Sequence, residues 1–229
     1  MRARAGHLGW WPGETPFEVC IGAILTQNTN WTNVEKALAN LRQRDLLHPA
    51  RLYALPAAEL AELLRPSGYF NLKADRVRSF LKVLEETYGG DLTRLMNGST
   101  PSVRQRLLAI RGIGPETADS MMLYAGGHAS FVIDAYTRRI FHRHGWCRED
   151  ATYQELQTLC CTALSGVKPA RRLDYWQDYH AQLVGVAKHF CLKRGPRCEV
   201  CPLAPLLPAG TGSPRRASVG SDRSDPAHG

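Results

Sequence analysis

The sequence predicts an all-α fold. Apolar residues recur at spacings of three and four along most of the chain, which is the period of an amphipathic helix. No stretch alternates convincingly between apolar and polar residues in the way that a strand does. Glycine and proline stand mainly at the ends of the helical runs, where they commonly terminate or begin helices.

Nine segments carry the helical pattern. In chain order they are residues 20–27, 33–44, 57–66, 73–90, 103–110, 115–127, 134–145, 152–165 and 173–191. Proline 66 ends the third segment, and Pro101 and Pro115 stand near the starts of the fifth and sixth. Glycines past helical runs close the fourth, sixth and seventh segments at positions 89–90, 126–127 and 145. From residue 208 onward the chain loses its large apolar side chains, so we predict a disordered tail over 208–229.

The composition favours a polyanion as partner and gives no sign of a membrane protein. The formal net charge is +8, from 29 Lys and Arg against 21 Asp and Glu, and basic surfaces of this kind bind nucleic acids. There is no apolar run of eighteen residues and no apolar stretch behind the N-terminus. We therefore expect no membrane association and a cytoplasmic location. Seven cysteines, an odd number without an export signal, argue against a disulfide framework.

Residues 110–119, IRGIGPETAD, predict a phosphate-binding turn. Glycine at 112 and 114 permits positive φ and close approach of the backbone to a ligand, and a helix that begins near Pro115 directs free amides outward. The candidate DNA-binding residues are Gly112, Ile113, Gly114, Glu116 and Thr117. The alternative is a glycine-rich helix connection that binds nothing.

The wider pattern resembles the endonuclease III, or HhH-GPD, superfamily of DNA glycosylases. The matching segments are ILTQNTN, SGYFNLKADR, IRGIGPETAD and VIDAYTRRIF, within a resemblance that covers about residues 10–201. It implies two helical subdomains that flank a DNA-binding cleft with a helix-hairpin-helix motif. Residues 18–127 would form a six-helix barrel-type domain, and residues 1–17 with 128–207 a second helical domain with a Cys-rich loop. It also implies a monomer that binds double-stranded DNA containing damaged bases in a bacterial-type nucleoid.

Asp134, twenty positions after Gly114, matches the catalytic aspartate of that family. Breaking an N-glycosidic bond builds oxocarbenium-like charge on the sugar, which a nearby carboxylate stabilises while it orients water. The alternative is that Asp134 only caps the helix that follows it. The resemblance also places Lys73, in SGYFNLKADR, near the DNA as a phosphate contact.

Glu116 stands where bifunctional relatives carry a lysine, one residue before Thr117. That lysine amine forms a Schiff base with the sugar, and a carboxylate cannot do so. The resemblance therefore implies a monofunctional glycosylase that leaves a free base and an abasic site. The simpler alternative is that an acid suits the first turn of a helix.

Two tryptophans and a glutamine indicate which damaged base the protein would recognise. With the WWP segment and the NTNW segment, the chain resembles the 3-methyladenine DNA glycosylase III branch, in which Trp11 and Trp31 would stack on a flipped alkylated purine. Gln27 matches the residue that fills the space left by that base. These tryptophans can equally be core residues. An endonuclease III-like glycosylase and lyase for oxidised pyrimidines, or a non-catalytic helix-hairpin-helix DNA-binding protein, stay open as alternatives.

Cys191, Cys198 and Cys201 have the spacing of the endonuclease III cluster loop. That loop holds a 4Fe–4S cluster on four thiolates, but Leu207 occupies the fourth position here, so the ligand set is incomplete. His189 or the Cys160–Cys161 pair could substitute. A zinc site or three thiols without a metal are the alternatives.

Overall fold

The computed structural model describes residues 1, 6–7 and 13–208. This part of the chain contains eleven α-helices and three short 3-10 helices, without a strand, which confirms the all-α prediction. The predictions for Trp11 and for a disordered tail concern positions 11 and 208–229; apart from residue 208, these lie outside the described residues.

The helices follow one another along the chain with short connections. They are α1 (Pro16–Leu25), α2 (Trp31–Gln43), α3 (Pro49–Ala54), α4 (Ala57–Leu64), α5 (Phe70–Tyr88), α6 (Leu92–Leu95), α7 (Thr100–Leu108), α8 (Pro115–Tyr124), α9 (Ala135–Arg143), α10 (Tyr153–Ala163) and α11 (Pro169–His189). The 3-10 helices are Arg65–Ser67, Cys198–Val200 and Ala204–Leu206.

Side chains at the predicted helical spacing form the first hydrophobic core. Val77, Phe80, Leu81 and Leu84 lie on one face of α5 and are buried, and α5 packs against α1, α3 and α4. Each such Phe or Leu contributes roughly 1.5–3 kcal/mol on burial. The first core gathers buried residues between Phe17 and Met122.

A second hydrophobic core gathers buried residues between Leu123 and Leu203. Its main contact joins α9 with α11. Helix α8 belongs to both cores, because Met122 packs in the first and Leu123 in the second. The predicted domain boundary after residue 127 stays a prediction.

Polar side chains fix several helix starts by accepting hydrogen bonds from first-turn amides. Thr15, Asn30, Ser99 and Asp134 do so for α1, α2, α7 and α9. Thr152 and the acid three residues later form a reciprocal capping box at α10.

The sequence pattern missed α3 and α6, which have six and four residues and are too short to show a period.

A buried carboxylate joins the two halves of the molecule. Asp119 on α8 is fully buried and accepts hydrogen bonds from Arg104 on α7, from the Ser130 hydroxyl, and from Tyr153 and Gln157 on α10. Because every partner is a donor, the charge is fully satisfied despite its burial. This network fixes α8, and therefore the hairpin, against the second core.

Among the described residues, no helix combines the length and the apolar character required to cross a bilayer.

Candidate active site

The predicted hairpin is present as α7, a tight turn and α8. Gly112 has φ of +88°, and a Cβ at this position would lie 2.5 Å from Cγ of Arg76, so conformation and space both require glycine. Gly114 differs from the expectation. Its φ is −92° and nothing lies within 4 Å of a Cβ built there. Its backbone is extended because it is the residue that precedes Pro115, and Gly114 leaves open space in front of the α8 N-terminus. Ile113 between them is buried and belongs to the first core.

Gln27 locks the hairpin to the first core. Its Nε2 donates to the Gly112 carbonyl at 3.1 Å and to Thr117 Oγ1 at 2.9 Å, and its Oε1 accepts from Arg76. The amide orientation is unambiguous, since the carbonyl can only accept and the guanidinium can only donate. The structure thus brings together three predicted residues that are distant in sequence, Gln27, Gly112 and Thr117.

Asp134 lies at the N-terminus of α9 and uses its two oxygens differently. Oδ1 accepts from the backbone amide of Thr137 at 2.7 Å, so the residue is a helix cap. Oδ2 lies 3.5 Å from Nε2 of His180 on α11. The Asp134 side chain is largely buried, with 13% of its surface exposed.

The two carboxylates of the site have opposite pKa shifts. Burial acts to raise the pKa of Asp134, but His180 and the Thr137 amide outweigh it, and the pKa is lowered overall. Desolvation first, and the charge of Asp134 second, raise the pKa of Glu116 to about 7, against the opposing effects of His180 and Arg138. The Glu116 residue as a whole is exposed at the start of α8, whereas its carboxyl is partly desolvated beside Asp134. Near neutral pH the site therefore holds one ionised carboxylate and one that is poised to take up a proton.

His180 and Tyr124 complete this group and were not predicted from the sequence. His180 is buried, and its Nδ1 lies 2.6 Å from the Tyr124 hydroxyl. Tyr124 follows Glu116 by eight positions, about two helical turns, so helix periodicity could have placed both on one face of α8. No local signal marks His180, which reaches the site from another helix.

Lys73 does not occupy the predicted position near a phosphate. It is 1% exposed, and its Nζ donates to the Ser67 carbonyl at 2.6 Å. Burial, with Arg76 nearby, lowers the pKa of Lys73 to about 8. In this structure the ammonium fixes the bend before α5, and the phosphate contact of Lys73 stays a prediction.

Trp31 is the first residue of α2 and packs, partly buried, against the first core. This contact agrees with the packing alternative, and the stacking role of Trp31 stays a prediction. Trp11 lies outside the described residues, so the predicted pair of aromatic rings stays a prediction.

The Cys-rich loop follows α11. Cys191 and Cys201 are buried and Cys198 is half-buried. Burial first, and then its neighbours Cys191 and Cys201, raise the pKa of Cys198. The loop is also held by Arg143, which donates to the Leu192 carbonyl at 2.6 Å and to Cys191 Sγ at 3.4 Å.

The donor set of this loop does not fit a four-thiolate 4Fe–4S cluster. Leu207 occupies the fourth position, and the described residues contain no group of three or more His, Cys, Asp or Glu arranged to hold a metal ion. Cys160 is a buried residue of the second core with Cys161 and Cys147 as its sulfur neighbours, and a fourth ligand from the Cys160–Cys161 pair stays a prediction. A metal on Cys191, Cys198 and Cys201 stays a prediction from the resemblance, and no catalytic step is assigned to it.

Several known proteins are similar to this chain in sequence or in fold. A protein of Methanocaldococcus jannaschii, provisionally named a DNA repair glycosylase, is 43% identical over 199 residues, which are 86% of this chain and 88% of that protein. An endonuclease III–DNA complex superposes with a TM-score of 0.75 at 22% identity, covering 90% of this chain and 89% of the other, which establishes the fold. The H. pylori 3-methyladenine DNA glycosylase bound to 1,N6-ethenoadenine has a TM-score of 0.69 and 27% identity, over 78% and 87% of the two chains.

The family model for the HhH-GPD superfamily base excision DNA repair proteins matches residues 21–164. That range includes the hairpin, Gln27, Glu116 and Asp134, and the 43% identical relative extends the similarity over most of the chain. The chain belongs to the HhH-GPD superfamily of base excision DNA repair proteins.

Proposed function

We propose that this protein is a monofunctional DNA glycosylase that hydrolyses the N-glycosidic bond of alkylated purines in double-stranded DNA. The observation that carries the proposal is the partly exposed Asp134 carboxylate, held by the Thr137 amide and facing His180, with Glu116 nearby at the start of α8. The carboxylate suits oxocarbenium-like charge, and the position that would need an amine for lyase chemistry holds an acid.

The proposed reaction needs only the residues of the site and water. The α8 N-terminus, with open space at Gly114, receives a backbone phosphate, and the damaged nucleotide rotates out of the helix toward Asp134. The bond between the sugar C1′ and the base nitrogen breaks, and the electron pair leaves with the base. Asp134 stabilises the positive charge on the sugar and orients water, whose oxygen bonds to C1′ while its proton passes to solvent.

The preference for alkylated purines is supported by similarity to the H. pylori 3-methyladenine DNA glycosylase. A methylated purine is cationic and leaves readily, so an aromatic slot and one carboxylate are sufficient chemistry for its release. The partly exposed Trp31 is one candidate wall of that slot. A monomer acting in the cytoplasm, associated with the nucleoid through DNA, is part of the same proposal.

The test is base release from methylated duplex DNA under single-turnover conditions, with parallel duplexes that carry oxidised pyrimidines. Wild type should release methylated purines, and Asp134→Asn should be slower by about 10²–10³-fold, the usual effect of losing one transition-state electrostatic group. The control is Asp150→Asn, an exposed acid paired with Arg148, which should keep the wild-type rate. Equal release by wild type and Asp134→Asn would remove Asp134 from the mechanism. Release from the oxidised duplex alone would change the proposed substrate class to oxidised pyrimidines. No release from any duplex would favour a DNA-binding role without catalysis.

A further inference from the structure

Two groups contact the Asp134 carboxylate, one from its own helix and one from α11. Its Oδ1 is fixed by the Thr137 amide of its own helix, and its Oδ2 faces Nε2 of His180 at 3.5 Å. His180 is 4% exposed, and its other ring nitrogen lies 2.6 Å from the Tyr124 hydroxyl. Three helices, α8, α9 and α11, therefore meet at one imidazole.

The neighbours of His180 indicate which of its two ring nitrogens carries hydrogen. An ionised carboxylate can only accept a hydrogen bond, so the approach of Nε2 to Asp134 at 3.5 Å favours the tautomer with hydrogen on Nε2. In neutral His180 the other nitrogen then accepts from the Tyr124 hydroxyl. In the cation it donates to the same oxygen. Both protonation states present an Nε2–H to Asp134.

Tyr124 is a suitable partner for His180 because its hydroxyl keeps its proton. Burial first, and then the charge of Asp134, raise the pKa of Tyr124 well above its ordinary value. A phenol that stays protonated is a fixed partner for the imidazole and selects the ring orientation, as a second partner of a functional histidine commonly does.

We propose that His180 is a positioning residue for Asp134, and that Tyr124 in turn positions His180. The imidazole would hold the carboxylate in its ionised form and in one orientation, with Oδ1 committed to the helix cap and Oδ2 facing the imidazole. This inference rests on the proposed function, in which Asp134 acts on the substrate. The competing explanation is a buried histidine that only fills the space between α8 and α11.

Several charged or titratable groups act on Asp134 or on its neighbour Glu116, and a pH profile must be read against all of them. Glu116 and Tyr124 come from α8, Arg138 comes from α9, and His180 comes from α11. Removing His180 removes the neighbour that most lowers the pKa of Asp134. In His180→Ala the acidic limb of the rate profile should therefore move to higher pH, because the pKa of Asp134 rises when His180 no longer lowers it.

The experiment compares His180→Ala, His180→Gln and Tyr124→Phe with His48→Ala, which removes an exposed imidazole near the start of α3. Single-turnover rates on the methylated duplex report the chemical step, and affinity for a duplex with a non-cleavable abasic analogue reports binding. We expect His180→Ala to lose about 10²-fold in rate, the scale for a misplaced catalytic group, with affinity unchanged. His180→Gln should recover part of the rate, because its amide nitrogen can donate to Asp134. Tyr124→Phe should show a smaller loss, and His48→Ala none.

A wild-type rate in His180→Ala would overturn the inference. So would a loss that is equal in the Ala and Gln variants, with an unmoved acidic limb and a lower melting temperature, since that pattern describes a packing role. If His180→Ala does not fold, Tyr124→Phe decides, because it deletes a single oxygen; a wild-type rate in that variant would then count against the inference.

One readout separates this inference from the proposed function. The carboxyl carbon of Asp134, observed by NMR across a pH titration, reports its ionisation without any substrate. A higher titration midpoint in His180→Ala supports the positioning role even if wild type releases no base, whereas an unchanged midpoint overturns it. Inactive wild-type enzyme with a shifted midpoint would contradict only the proposed function.

Discussion

Arg104 and Asp119 form a two-point ion pair across the hairpin. Nε of Arg104 lies 2.9 Å from Oδ1 of Asp119, and its second guanidinium nitrogen, Nη2, lies 3.2 Å from Oδ2. The pair joins α7 to α8, and the hydroxyls of Ser130 and Tyr153 extend it into the second core. The geometry of the hairpin thus depends on a fully buried charge.

Asp119→Ala should strongly destabilise the protein. It leaves the partly buried Arg104 and several donors without their acceptor, and breaking a buried pair in this way costs about 3–5 kcal/mol. Because one side of the Arg104 side chain is exposed, the lower end of that range is expected. Chemical denaturation measures the change. Asp150→Ala, which breaks the exposed pair with Arg148, should leave the unfolding midpoint almost unchanged, and comparable losses in both variants would contradict the central role of Asp119.

The two hairpin glycines should respond differently to alanine. Gly112→Ala places a Cβ at positive φ, which costs roughly 1–2 kcal/mol, and adds a contact with Arg76 at 2.5 Å. Gly114→Ala meets neither obstacle and should keep the wild-type stability. If a phosphate approaches at Gly114, however, the added methyl should weaken binding to undamaged duplex DNA. Melting curves and binding titrations separate the two effects, and equal loss of stability in both variants would refute the assignment of the turn.

Glu116 should make the stability of the protein depend on pH. Its carboxyl ionises with an ordinary pKa of 4.5, and the folded protein raises that pKa to about 7. Folding therefore takes up a proton between these two values, and the wild type loses stability as the pH rises through this window. Glu116→Gln cannot ionise, so it should gain stability relative to wild type above pH 7 and show no such gain below the ordinary pKa. Melting temperatures across the pH range measure this difference. Glu149→Gln, an exposed acid, is the control; a pH-independent difference between Glu116→Gln and wild type would rule out the raised pKa.

Borohydride trapping tests whether the reaction lacks an amine step. Reduction fixes a Schiff base between enzyme and sugar, and wild type, with Glu116 at the matching position, should give little trapped adduct on a methylated duplex. Glu116→Lys restores the amine and should give a trapped adduct if position 116 faces the sugar. Glu149→Lys adds an exposed lysine elsewhere and should behave like wild type. Efficient trapping by wild type would show that another amine reaches the site and that the proposed monofunctional reaction is wrong.

Local sequence signals predicted much of the fold because they act within one helix. Periodic apolar residues such as Val77, Phe80 and Leu84 define a buried face regardless of what packs on it. The same reasoning anticipated that Asp134 caps α9, since a cap depends on the next three residues. It did not show that the ammonium of Lys73 turns inward to the Ser67 carbonyl.

The sequence by itself determined the helical class, the hairpin and the presence of an acid where a lysine amine would be needed. Those features depend only on residue types and on spacings of a few residues. Only the tertiary structure decided that Gln27 fastens the turn, that Asp119 holds it against the second core, and that His180 faces Asp134. These contacts join residues from different helices, and their formation depends on how the helices pack, which no local pattern encodes.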